Sequence, residues 1–199
     1  MRAVLGCSLH TGWAETVAVG GSPADPEVLR RYRITLVDEA LPRQVFHAAA
    51  GLPAAPADAL VRQVERSARE AAERELVAAR DALLSEGHQL AGVALCAEPR
   101  DVPTDTQRIV ANHTLIHSAE GELYREALEA AAEWLALPVL QVGPKRVAGE
   151  VTQRLGLSTS RQGLLVADLR RRVGPPWRAD HKQATLLALV ALAEASVAS

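Results

Sequence analysis

The chain has 199 residues, a formal net charge of −2, 48% apolar residues and 23% charged residues, which suits one soluble domain, spanning 1–199, with a sizeable core. This balance excludes a general attraction to nucleic acid, so any such binding needs a local basic patch. The longest apolar stretches, Leu186 to Ala193 and Val93 to Ala97, fall far short of the about 20 residues of a membrane span.

Residues 3 to 9 read as a first strand, with a tight turn at His10-Thr11-Gly12 and a second strand from Trp13 to Val19. The apolar run at the N-terminus is too short for a signal-peptide core, and a cytoplasmic location is expected. Gly20-Gly21-Ser22-Pro23 and Asp25-Pro26 supply turn chemistry before a third strand, Val28 to Val37. There Val28, Arg30, Tyr32, Ile34 and Leu36 alternate with Leu29, Arg31, Arg33, Thr35 and Val37, which predicts one buried face and one solvated face. Three strands with short connections make an antiparallel meander. Arg31 and Arg33 read as edge-strand solvation.

Leu41 to Pro56, with three prolines, reads as a loop. A long amphipathic helix follows from Ala57 to about Glu86, its apolar stripe running through Leu60, Val64, Ala68, Ala71, Leu76, Ala79 and Leu83. Leu90 to Ala97 is apolar on both faces, as a central parallel strand is. Residues 99 to 112 read as loop, and Ser118 as the cap of a helix to about Ala136. A short strand over 138–142, a helix opening at Pro144, another capped by Ser158 or Ser160, and a last helix with an Asp180/Gln183 capping box complete the chain. Meander, then strand–helix–strand–helix, predicts an α/β fold with a mixed five-stranded sheet.

Cys7 and Cys96 fall inside strands and read as buried free thiols. No paired-cysteine metal spacing is present, which argues against structural zinc of that kind. Gly20-Gly21-Ser22 is a hairpin turn and not a phosphate loop, since no Gly-Lys-Ser end and no helix follow it. Ser8 and His10 would point the same way on a strand, yet no nucleophile elbow or orienting acid accompanies them. Trp13 reads as core. His113 and His117, spaced i,i+4, share a helical face with Glu120. That is a metal-ligand spacing without an identified third ligand, and packing or capping is the plainer alternative. Arg170, Arg171, Arg172, Arg178 and Lys182 cluster around Trp177, either as phosphate contacts or as the charges that a helix C-terminus and solubility favour.

The element order, with Gly6-Cys7-Ser8 followed by Thr11-Gly12-Trp13, then Leu95-Cys96-Ala97-Glu98 and Ala179-Asp180-His181-Lys182-Gln183-Ala184, resembles ribonuclease-H-like domains. Within them it most resembles bacterial Holliday-junction resolvases of the RuvC type. It also looks like uncharacterised bacterial proteins with a Ser-Leu-His-Thr-Gly-Trp start. The resemblance implies metal-assisted phosphodiester hydrolysis on structured DNA or RNA, with Mg²⁺ or Mn²⁺ between acidic side chains and a homodimer as the assembly. Glu98 and Asp180 would be catalytic metal ligands, Glu122 a third ligand, and the segment from Arg170 to Lys182 the phosphate contact. Ser8 stands where the family's first strand carries its bridging aspartate, and a neutral hydroxyl is a poor ligand for a hard dication. The resemblance therefore also admits a catalytically silent nucleic-acid-binding or protein-interaction module. A histidine-based metal site used for unrelated hydrolysis is a third reading.

Overall fold

In the computed structural model, which describes residues 1–197, the strands assemble into one mixed sheet of order β3-β2-β1-β4-β5. β1 (Arg2–His10), β2 (Trp13–Gly21) and β3 (Pro26–Thr35) form the antiparallel meander, and β4 (Gln89–Cys96) and β5 (Val139–Gln141) extend it in parallel. The α/β class and the five-stranded mixed sheet are as expected from the sequence.

Period-two alternation sorts the central strands into two cores. Ala3, Leu5 and Cys7 of β1 face a layer that includes α1 (Val45–Ala49), α2 (Ala54–Ser85), α3 (Thr106–Val110) and α4 (His113–Trp134). Val4 of β1, Val17 and Val19 of β2, and Ala94 and Cys96 of β4 face α7 (Ala179–Val197), with α5 (Val147–Leu155) behind it; α6 (Thr159–Val173) completes that side. The two cysteines are buried and free, on opposite faces of the sheet. α7 is apolar nearly all round, as a helix between sheet and outer helices must be. Among the described residues no helix is long and apolar enough to cross a membrane.

Several local expectations change. The stretch read as a loop over 41–56 contains α1 and the first turn of α2, and 99–112 contains α3, whose cap Asp105 accepts from the backbone N–H of Gln107 and Arg108. α4 starts earlier than Ser118: Asn112 caps it, accepting from Thr114 N–H and Leu115 N–H, so His113 is its first residue. α5 opens at Val147 after a turn through Pro144. Ser158 caps α6 as expected, accepting from Arg161 N–H.

β3 does not keep a single alternation. Val19 pairs with Val28 and Ala18 with Arg30, so Leu29 is a bulge residue. The bulge turns Val28 toward the α7 core while Leu29, Tyr32 and Ile34 share the other, whereas strict alternation would put Val28 on the side of Tyr32 and Ile34.

Candidate functional site at the carboxyl ends of β1 and β4

β1 and β4 run parallel with Ser8 opposite Cys96, so their carboxyl ends open on one rim. α7 is brought to that rim by a close approach at Gly6. A Cβ there would lie 2.0 Å from the carbonyl oxygen of Ala184, so only glycine lets the helix sit on the strand. Asp180 lies one helical turn before Ala184, and Ser8 lies two residues beyond Gly6 on the same face. The two meet: Ser8 Oγ donates to Asp180 Oδ1 at 3.1 Å. His10 Nε2 lies 3.2 Å from the same oxygen, a close contact without hydrogen-bond geometry. Asp180 is therefore engaged as a receiver of neighbouring groups in the first turn of α7, where the helix dipole also favours its charge. The capping box expected from Asp180 and Gln183 is not what their side chains form; Gln183 Oε1 instead accepts from the Cys96 thiol at 3.9 Å.

The row continues along the α7 face of the meander. Gly12, at φ +82°, closes the β1–β2 turn and sets His10 opposite Trp13. The two rings stack, with centroids 3.9 Å apart and planes within 5°. Arg33 places its guanidinium carbon 3.8 Å from the Trp13 ring and bonds Glu15. Trp13 is thus the partly exposed middle layer of a stack between a histidine and an arginine, not core filler. Arg33 is held by Glu15 rather than simply solvated. Glu15 Oε2 also lies 3.6 Å from Nε2 of the buried His181, whose Nδ1 accepts from the backbone N–H of Arg178 at 3.0 Å. Burial pushes the His181 pKa below its ordinary value, opposed by the charge of Glu15.

The other expected ligands have partners of their own. Glu98 is half exposed, lies against Gly143 closely enough that a Cβ there would sit 2.3 Å from its carboxyl carbon, and faces Arg146 at 3.6 Å. Glu122 is buried, accepts from Arg100 N–H at 3.0 Å, and receives two bonds from Arg125, which Glu129 also binds. In the basic segment, Arg171 and Arg172 pair with Asp168 at 2.8 and 2.7 Å. Arg170, Arg178 and Lys182 are exposed.

Structure comparison shows what arrangement this is. RuvC from T. thermophilus in complex with a Holliday junction substrate superposes with a TM-score of 0.54 at 15% identity, covering 99% of this chain and 96% of that one. A second Thermus thermophilus RuvC structure gives 0.52 at 15% identity, covering 98% and 96%. The chain has the RuvC fold. No protein-family model matches it, and no curated protein matches it. At such low identity the likeness to RuvC concerns the path of the chain, and the side chains must be judged on their own.

A pair of hard divalent ions requires several convergent carboxylate oxygens. The rim offers Asp180, already bonded by a hydroxyl and flanked by a histidine, and Glu15, neutralised by Arg33. This donor set does not fit a two-ion site of that kind. The feature that sequence reasoning missed is the His10–Trp13–Arg33 stack. Its signal was present in the cross-strand pairing that a tight turn at Thr11-Gly12 forces.

Proposed function

We propose that this chain is a nucleic-acid-binding member of the RuvC-like fold that works without two-metal phosphodiester hydrolysis. The carrying observation is the Ser8–Asp180 hydrogen bond: a donor occupies the place next to Asp180 where a second carboxylate would be needed. Binding is supported by the chemistry around that rim. Arg178 and Lys182 are exposed at the start of α7 beside the rim, and the exposed Arg170, Arg171 and Arg172 extend the basic surface along the strap toward the β2–β3 turn, where Arg172 meets Asp25. Their ion pairs lie on the surface and cost little to exchange for phosphate. The His10–Trp13–Arg33 stack, with Arg33 exposed on its outer side, adds a layered planar surface of the kind that bases and sugars pack against. The ligand we assign is structured DNA, because the RuvC structure whose fold the chain shares holds a Holliday junction.

The test pairs two measurements on the purified chain. Mobility shift with a four-way DNA junction should show binding that weakens with salt and is not matched by linear duplex. Incubation of the same complex with Mg²⁺ or Mn²⁺ should leave the DNA intact, and calorimetry should show no millimolar binding of either ion. Junction cleavage lost in Glu98→Ala or Asp180→Ala would replace this reading with the hydrolytic one. Absence of any junction preference would remove the DNA assignment and leave a protein-interaction module.

A further inference from the structure

We infer that His47, His113 and His117 form a transition-metal site of the Zn²⁺ class, on the opposite face of the sheet from Asp180. The inference is independent of nucleic-acid binding. The i,i+4 pair lies on the first two turns of α4 because Asn112 starts the helix at His113. The third histidine arrives from α1, which lies against α4 and buries Val45, Phe46 and Ala49 in the core that the two helices share. Tyr124 of α4 fastens the lead-in to α1 by donating to Arg43 O at 2.7 Å.

Ligand-capable atoms of the three side chains all lie within 4.8 Å of one another. Three imidazoles around a tetrahedral ion, with Zn–N near 2.0–2.1 Å, put their ring centroids about 5 Å apart. The observed separations are 4.4, 4.9 and 5.7 Å. The ring planes stand at 88°, 60° and 86°, so the rings are not stacked on one another as His10 and Trp13 are.

The second, independent observation is Glu120. It is 2% exposed, and its Oε1 lies 2.8 Å from His47 Nδ1 and 3.3 Å from the His47 backbone nitrogen. A buried carboxylate holding Nδ1–H leaves Nε2 as the lone-pair nitrogen and raises its basicity, the arrangement that orients histidine ligands in metal sites. An all-imidazole donor set selects borderline ions such as Zn²⁺ over Mg²⁺ or Ca²⁺. His113 and His117 are exposed, and an open groove of about 670 Å³ lined by Thr11, Arg43 and His47 lies alongside. A bound ion would therefore keep a fourth position for water, as three-ligand zinc sites do.

The experiment titrates metal-stripped protein with Zn²⁺ against a chromogenic chelator, and with Co²⁺ read by visible absorption. We expect one equivalent of Zn²⁺ at micromolar affinity or tighter and the intense spectrum of four-coordinate Co²⁺. His113→Ala and His117→Ala, both at exposed positions, should each abolish that equivalent while circular dichroism stays unchanged. Glu120→Gln should retain the site but weaken it about 10- to 100-fold, and His88→Ala should leave it intact. No binding by the native chain, or binding that survives the His113→Ala/His117→Ala double variant, would overturn the site. An undiminished affinity in Glu120→Gln would overturn the orienting role of that carboxylate.

Discussion

Arg31 donates from its two terminal nitrogens to the carbonyls of Val173, Gly174, Pro175 and Pro176, the strap that leads into α7. Its partners lie more than 140 residues away in sequence, so the strand pattern alone offered only solvation as its role. A planar fork serves four acceptors in a way that an ammonium cannot. Arg31→Lys should lower stability by about 1–3 kcal/mol, read as a fall in the urea midpoint with an unchanged slope. His181, at the start of the helix that this strap feeds, gives a pH signature. Burial lowers its pKa from the ordinary 6.5, with Glu15 and Asp180 opposing and Arg31 and Arg178 reinforcing. The fold thus holds the neutral ring, and the stabilisation is present above pH 6.5 and lost as pH falls through the lower folded value. Urea midpoints measured from pH 7 downward should drop over that window, and His181→Gln should flatten the drop; an equal drop in both proteins would assign it to carboxylates instead.

At the scale of elements, the contact between β1 and α7 decides where every rim residue stands. Gly6→Ala would force a methyl group to within 2.0 Å of Ala184 O. The helix must lift off the strand, at a cost of about 3 kcal/mol, measured as a shifted denaturation midpoint. Because Asp180 travels with α7, the Ser8–Asp180 hydrogen bond should be lost in the same variant, while Gly149→Ala, at an open position in α5, should change little. Strands and long helices were legible because their periodicity repeats over many residues. The short helices α1 and α3 were not: five residues hold barely more than one turn, and the prolines on both sides of α1 and ahead of α3 look like loop chemistry. That gap had a chemical consequence, since the third histidine of the His113/His117 cluster sits in α1. The bulge at Leu29 likewise leaves no mark in an alternating pattern until pairing with β2 is known.

For the molecule as a whole, the order of elements carried the RuvC-like topology, and it correctly brought the neighbourhoods of residues 8 and 180 together. What it could not carry was the direction of side chains at the rim. Glu98 directly follows the expected strand, yet its carboxylate meets Gly143 and Arg146, a choice that strand order does not dictate. The same limit applies to the basic residues, whose value depends on lying along one surface. Binding of a DNA junction through that surface should show log–log salt dependence, with each phosphate contact contributing about −0.9 to the slope. Replacing Arg170, Arg178 and Lys182 together by alanine should make the slope shallower by about 2 to 3 and weaken binding to all junction sequences alike, because phosphate contacts carry no base information. Trp13→Ala should behave differently. A stacking platform contributes little that salt can screen, so affinity should fall by about 1–3 kcal/mol with the slope preserved. Parallel lines in the log–log plot for Trp13→Ala and a shallower line for the triple variant would place the DNA across both surfaces. A triple variant whose slope matches that of the native chain would move the contact elsewhere.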